Sequence, residues 1–129
     1  MKLDDAHAFA DGWVEAWNAH DLELILSHFS DDVMFSSPVA TMLAPESGGV
    51  IHGKAALRDY WREGLRRIPD LHFQIEGVYV GVEALVINYR NQSDRLVCEV
   101  LFFDGALVNS GLGTYLDDGS SSGGRATTP

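Results

Sequence analysis

Apolar residues recur at helical spacing along the first part of the chain. Over roughly residues 4–19, Phe9, Trp13 and Trp17 fall on one stripe, and this 3.6-residue period predicts an amphipathic helix. Asp21 is a good helix N-cap, and it predicts a second, shorter helix. The apolar inner side of this second helix is predicted to consist of Leu22, Ile25, Leu26 and Phe29.

A third amphipathic pattern lies in the middle of the chain. A short strand is predicted over residues 33–38, ended by Pro38, and a loop is predicted over residues 44–49. A helix then runs from about Gly53 to Ile68, where Pro69 stops it. Its inward-facing residues are predicted to be Leu57, Tyr60, Trp61 and Leu65.

From Leu71 onward the hydrophobic period changes to two, which predicts strands. The predicted strands cover residues 71–76, 79–80, 84–90, 95–103 and 106–116, and Asp104-Gly105 is a strong hairpin signal. Helices followed by a run of strands predict an α+β fold. We expect a strongly curved antiparallel sheet that folds over the N-terminal helices and encloses a pocket between them.

Composition and charge set limits on the function. The 129 residues form one domain by length, over residues 1–116, with 46% hydrophobic residues for a core and a flexible Gly/Ser-rich tail at 117–129. The net charge of −10 and the absence of a basic stripe argue against nucleic acid and against an anionic membrane surface. The sequence shows no signal peptide and no transmembrane segment, so a cytoplasmic location is expected.

One carboxylate interrupts the most apolar strand, in the sequence LVCEVLFFDG. Burying an unpaired carboxylate is costly, so Glu99 either turns to solvent or pairs with an arginine such as Arg90, or it points into a cavity with a raised pKa. In the last case it shares the inner side of the sheet with Val97 and Leu101. Its neighbour Cys98 is the single cysteine and is expected to act as a small buried hydrophobe.

Large aromatic residues occupy the predicted elements that would close the pocket. Such residues are more often core than ligand contacts, but together they favour a small apolar ligand. The candidate pocket residues are Trp13, Trp17, Phe35, Tyr60, Trp61, Phe73, Asn88, Val97 and Leu101. For Asn88, a solvent-facing position is an equal alternative. The five histidines and the single cysteine show no metal-ligand spacing, so neither a metal nor a cofactor is expected.

Four phrases of the sequence resemble the nuclear transport factor 2-like (NTF2-like) superfamily, and within it the SnoaL-like group. They are WVEAWNAHDLELILSHFSDDVMFSSP, IHGKAALRDYW, PDLHF and CEVLFFDG. The resemblance implies the cone-shaped α+β barrel fold. It leaves the reaction open, because this superfamily includes isomerases, cyclases, dehydratases, epoxide hydrolases and binding or transport proteins.

The resemblance extends to ketosteroid isomerase, which uses a base aspartate and an oxyanion hole of a tyrosine and a protonated aspartic acid. By the match of motifs, the tyrosine falls at Trp13, the base at Ser37 and the protonated acid at Glu99. An indole donates a hydrogen bond but is no phenolic acid, and a serine hydroxyl is no base near neutral pH. Ketosteroid isomerase activity by the known route is therefore not expected.

Two functional hypotheses remain. In the first, the protein is a cofactor-independent isomerase, cyclase or epoxide hydrolase-like enzyme in which Glu99 is the acid or base and Ser37 assists. In the second, it is a non-catalytic ligand-binding or interaction module. The resemblance also implies a homodimer formed through the outer face of the sheet, where Cys98, Val100 and Phe102 are predicted to lie.

Overall fold

Helices form the first layer of the structure. A computed structural model describes residues 1–117, so the predicted tail lies outside the described residues from position 118 onward. The helices are α1 (Leu3–Asn18), α2 (Leu22–Leu26), α3 (Ala40–Leu43) and α4 (Lys54–Arg67), with a 3₁₀ turn at Pro45–Ser47. The apolar stripe of α1 is buried as its spacing predicts, and the Asp21 side chain caps α2 by accepting a hydrogen bond from the Leu24 backbone N–H.

A six-stranded, curved and unclosed sheet forms the second layer. The strands are β1 (Phe29–Ser36), β2 (Val50–His52), β3 (Gln74–Gly81), β4 (Ala84–Arg90), β5 (Leu96–Asp104) and β6 (Leu107–Tyr115). Their order is β2-β1-β6-β5-β4-β3. Four of the strand pairs are antiparallel as expected, but β1 and β6 are parallel because the chain crosses between them through α4 and the meander.

The core lies between the inner face of this sheet and the helices. Helix α1 packs against β3, and α4 packs against β1. Buried and half-buried residues alternate along β4 and most of β5, which is the pattern of strands with one face turned to the core. The predicted α+β architecture is confirmed.

Four local features differ from the predicted elements. Helix α2 ends at Leu26, and Phe29, which was predicted on the inner side of that helix, is the first residue of β1, so this strand begins before the predicted start at Val33. The helix at Ala40–Leu43 and the strand at Val50–His52 lie where no regular element was predicted, and both are too short for a periodicity signal. Strand β3 begins only at Gln74 and then runs without a break through Tyr79. The residues before it form an extended connection rather than part of the strand.

An asparagine at the end of α1 holds this connection in place. The Asn18 side chain donates from Nδ2 to the Phe73 carbonyl at 3.0 Å and accepts at Oδ1 from the Phe73 N–H at 2.7 Å. His20, which has φ of 56°, places a ring nitrogen 2.9 Å from the Leu71 carbonyl oxygen. These bonds satisfy backbone groups that a strand partner would otherwise satisfy, and they place the buried Phe73 ring against α1.

We expect Asn18→Ala to lower the free energy of unfolding by about 1–3 kcal/mol. The substitution leaves the backbone N–H and carbonyl of Phe73, which are partly buried, without their hydrogen-bond partner. Urea unfolding at pH 7 measures the change. Asn109→Ala, at an exposed strand position, is the control and should stay within about 0.5 kcal/mol of the wild type. Equal stability of the two variants would show that the Asn18 link is dispensable.

Candidate functional site

Glu99 lies on the inner face of the sheet, in the middle of β5. Its cross-strand neighbours are Ile87 of β4 and Gly113 of β6. The residue is 4% exposed, and Val97 and Leu101 on the same face are also buried. Of the alternatives that the sequence leaves open for Glu99, the structure shows the inner-face position beside these two residues and not a solvent-facing carboxylate.

The Glu99 carboxyl has a hydroxyl as its neighbour and no cation. The Tyr89 hydroxyl donates to Glu99 Oε1 at 3.3 Å. Arg90, the alternative partner considered from the sequence, instead pairs with Glu76 and Asp94 on the outer side. Among residues 1–117, no basic side chain forms an ion pair with Glu99.

Burial therefore dominates the titration of this group. Loss of solvation raises the pKa of Glu99 to about 8, and the hydrogen bond from Tyr89 lowers it only partly. At pH 7 the carboxyl is mainly protonated and can donate a hydrogen bond or a proton. Burial, with the Glu99 charge as a second cause, also raises the pKa of the Tyr89 hydroxyl well above its ordinary value, so Tyr89 stays a neutral donor.

Ser37 and Tyr60 bring two further hydroxyls to the same region. Ser37 is 5% exposed and follows the end of β1, where its Oγ accepts a hydrogen bond from the Val39 N–H at 3.2 Å. Burial raises the pKa of the Tyr60 hydroxyl, and the neighbouring Ser37 hydroxyl partly opposes this. An ideal Cβ built on Gly113 would lie 3.6 Å from Ser37 Oγ and 3.7 Å from Glu99 Oε1. The side chains of the two predicted catalytic residues, Ser37 and Glu99, therefore both lie beside Gly113 of β6.

The predicted aromatic residues form one continuous cluster beside these groups. Trp13 stacks on Phe73 at a centroid distance of 5.7 Å and also contacts Tyr89 at 5.2 Å, which connects the cluster to Glu99. On the other side, the Trp61 ring makes edge contacts with Trp17 at 5.1 Å and with Phe35 at 5.3 Å. Six of the nine candidate pocket residues, all the aromatic ones, are therefore buried on the helix side of the sheet.

This cluster also holds polar atoms without partners. The indole nitrogens Nε1 of Trp13, Trp17 and Trp61 and the Tyr60 hydroxyl are buried and form no geometrically acceptable hydrogen bond with any described residue. A buried donor without a partner costs about 1–3 kcal/mol, and native cores contain few of them. An indole N–H can only donate, so these groups are suited to a ligand or water that carries acceptor atoms.

Asn88 does not belong to this cluster. It alternates with the buried Ile87 and Tyr89 along β4 and lies on the outer face, where its Nδ2 donates to the Val97 carbonyl and contacts Cys98 Sγ at 3.4 Å. The pocket position predicted for Asn88 is wrong because the pleat turns its side chain away from Glu99.

A surface cleft of about 450 Å³ lies on the outer side of Tyr60. It lies between α4 and the segment that runs from the end of α3 through β2, and Tyr60 is one of its lining residues. Three carboxylates line it, from Glu46, Asp59 and Glu63, together with His52. Tyr60 therefore borders this cleft on one side and has its buried hydroxyl beside Ser37 on the other.

Residues 1–117 contain neither a membrane-spanning helix nor a metal-binding group of side chains. No helix in this part of the chain is both long and apolar enough to cross a membrane. No group of three or more His, Cys, Asp or Glu side chains in the same range is placed to hold a metal ion.

Two residues of the site were not identified from the sequence. Tyr89 is a diagonal cross-strand neighbour of Glu99 and Gly113 is its direct neighbour, so both depend on strand register. Alternation in β4 could have placed Tyr89 on the inner face with Ile87. Gly113 gave no such signal, because a one-residue shift in register between Phe102 and Phe103 decides which residue of β6 faces Glu99.

Comparison with known proteins places this geometry in a family. The SnoaL-like domain family matches residues 10–101. A SnoaL-like protein of unknown function from Burkholderia thailandensis E264 is 41% identical, with a TM-score of 0.85 over 91% of this chain and 99% of the other. No curated protein sequence gives a significant match.

More distant structures share the fold alone. An NTF2-like protein of unknown function from Burkholderia pseudomallei K96243 is 15% identical, with a TM-score of 0.70 over 90% of this chain and 92% of the other. TerC, co-crystallised with polyporic acid, is 10% identical, with a TM-score of 0.71 over 87% of this chain and 92% of the other. The family match over most of the chain, the 41% identical structure and the helix-covered curved sheet agree, and the chain belongs to the SnoaL-like domain family.

Proposed function

We propose that this protein binds a small, largely apolar molecule beside Glu99 and uses the protonated carboxyl of Glu99 as a general acid. The observation that carries the proposal is the 4% exposed Glu99 carboxyl, which has Tyr89 as its hydrogen-bond partner and no ion-pair partner among residues 1–117. A carboxyl whose pKa lies near the working pH suits acid–base catalysis. The reaction class is a cofactor-independent isomerisation, cyclisation or epoxide opening.

The chemistry follows from the protonation state. The Glu99 O–H transfers its proton to a carbonyl or epoxide oxygen of the ligand, and the resulting carboxylate keeps the hydrogen bond from Tyr89. The carboxylate then takes a proton back from carbon or from an attacking hydroxyl, which restores the acid. Ser37 orients the ligand oxygen, because its hydroxyl lies close to the same Gly113 position as the carboxyl.

The surroundings favour an apolar ligand that enters through the Tyr60 cleft. The aromatic cluster supplies large apolar surfaces, and the unpartnered indole N–H groups of Trp13, Trp17 and Trp61 supply donors for acceptor atoms of the ligand. The location we expect is the cytoplasm, with no cofactor.

The outer face of the sheet favours a second, compatible role in assembly. One cross-strand row on this face reads Tyr79, Val86, Val100 and Leu112, from β3 to β6. Tyr79 is 61% exposed, and Phe102 on the next row is 43% exposed. A continuous apolar face of this kind is typical of an interface, and we propose that two copies pair through it.

Stability should depend on pH through Glu99. Its pKa rises from 4.5 to about 8 on folding, so between these values the folded state binds more protons than the unfolded state. Stability therefore falls as pH rises, by about 3 kcal/mol between pH 5 and pH 8. Glu99→Gln should match the wild type at pH 5 and be clearly more stable at pH 8, measured by urea unfolding.

Glu63→Gln is the matched control for this experiment. Glu63 is half-buried on α4, and its pKa is lowered to about 2 by hydrogen bonds from Arg66 and Arg67. It does not titrate between pH 5 and pH 8, so this variant should keep the wild-type pH dependence. A wild type whose stability is flat over that range, or a Glu99→Gln variant with the same slope, would contradict a buried neutral acid.

The Glu99→Gln substitution should reduce turnover far more than it reduces ligand binding. A thermal-shift screen of polycyclic ketones, aromatic polyketides and terpene epoxides finds ligands of the wild type, since binding to the folded state at a hundredfold excess over Kd adds about 2.7 kcal/mol. Ligands found this way are then tested for conversion by mass spectrometry. Glu99→Gln should retain binding within about tenfold and lose turnover by at least 100-fold. Undiminished turnover in this variant would exclude Glu99 as the acid.

Val100→Arg should convert a dimer to a monomer, because it places a charge in the centre of the outer row. Light scattering after size exclusion measures the mass. Val82→Arg, at a 94% exposed turn position between β3 and β4, should leave the dimer intact. A wild type that is monomeric at 50 μM would overturn the assembly proposal without affecting the acid.

A further inference from the structure

Two glycines of β6, Gly111 and Gly113, face the core for different reasons. A Cβ on Gly111 would lie 3.0 Å from Leu101 Cδ2 and 3.3 Å from Phe35 Cδ1, so close packing demands glycine there. A Cβ on Gly113 would meet nothing closer than 3.6 Å, which is ordinary van der Waals contact. Neither residue has a positive φ that would require glycine. Packing and backbone geometry thus explain Gly111 but not Gly113.

A glycine in a strand also has a cost. It loses more conformational entropy on folding than alanine does, and it provides no side chain to pack. At Gly113 an alanine would fit and would be the more stable choice. The remaining property of Gly113 is the space above its Cα, and that space is bordered by Ser37 Oγ and Glu99 Oε1.

We infer that Gly113 is a specificity-determining residue, whose missing side chain lets an uncharged oxygen of the ligand lie between the Ser37 hydroxyl and the Glu99 carboxyl. This inference rests on the proposed function and adds to it the position and the chemical class of the group that is recognised. The Tyr60 hydroxyl, buried beside Ser37 and without a partner of acceptable geometry among the described residues, is the third donor for that oxygen.

The class of oxygen follows from the groups around this position. Ser37, Tyr60 and protonated Glu99 all offer O–H donors, which favours a ketone, aldehyde or epoxide oxygen. A carboxylate would have no cation to neutralise it, since no Lys or Arg of residues 1–117 pairs with Glu99. Along the cleft, Asp59 and Glu63 are already paired with Arg62, Arg66 and Arg67, and Glu46 adds a further negative charge that disfavours an anion.

The test compares Gly113→Ala with Gly77→Ala. Gly77 is also a strand glycine with no positive φ, and its Cβ would lie 3.5 Å from the nearest atom, in the Tyr79 ring. Full-length proteins are titrated with 2-acetonaphthone, naphthalene and 2-naphthoate, and chemical shift changes in the NMR spectrum give each Kd. Urea midpoints establish that both variants fold as the wild type does.

We expect Gly113→Ala to weaken 2-acetonaphthone binding at least tenfold and naphthalene binding less than threefold, while Gly77→Ala changes neither. The wild type should bind 2-naphthoate at least tenfold more weakly than the ketone. Equal ketone affinity in the wild type and Gly113→Ala, or tighter binding of 2-naphthoate than of the ketone, would overturn the inference and leave the acid role of Glu99 standing. Failure of the wild type to bind any of the three probes would overturn the proposed function and the inference together.

Discussion

The site depends on one constraint, the burial of the Glu99 carboxyl away from any cation. A carboxylate in that environment would lack both solvent and an ion-pair partner, so the group is held mainly in its protonated form. The Tyr89 hydroxyl is the hydrogen-bond partner that makes this burial tolerable. Above neutral pH this burial destabilises the fold, because Glu99 ionises more readily in the unfolded chain.

The geometry around Glu99 is set by strand register rather than by local sequence. Val108 and Gly111 both face the core, although simple alternation would put them on opposite faces. The irregularity in the β5–β6 pairing absorbs the extra residue between them. It also brings Gly113 opposite Glu99, and the parallel pairing of β1 with β6 brings Ser37 to the same position. Two residues far apart in the chain thus meet because β6 lies between their strands.

The sequence was sufficient to predict the helices and strands that have a clear hydrophobic period. It was insufficient where the register between strands decides which residues are neighbours. The apolar stripes of α1 and α4 and the alternation in β4 and β5 predicted the fold, but they left open which face of the sheet Glu99 occupies. The same alternation, read carefully, places Asn88 outside. The parallel β1–β6 pair, the register shift in β6 and the partner Tyr89 depend on tertiary contacts that no window of residues contains. Short elements such as Val50–His52 form only because β1 offers an edge to pair with.

The two proposed roles lie on opposite faces of the sheet. The inner face carries the acid, the hydroxyls and the aromatic cluster, whereas the outer face carries an exposed apolar row with little chemistry. Substitutions on one face should therefore leave the role of the other intact, since the side chains are separated by the sheet itself. This separation allows the acid to be studied independently of assembly.

The central claim is that Glu99 is a protonated acid in the folded protein at neutral pH. The most direct measurement is an NMR titration of the side-chain carboxyl carbons in protein labelled with ¹³C-glutamate, with Glu99→Gln identifying the signal of Glu99. The account predicts a midpoint near pH 8 for this one carboxyl. A midpoint near the ordinary glutamate value of about 4.3 would contradict it, because Glu99 would then be an ionised group that the surrounding structure stabilises.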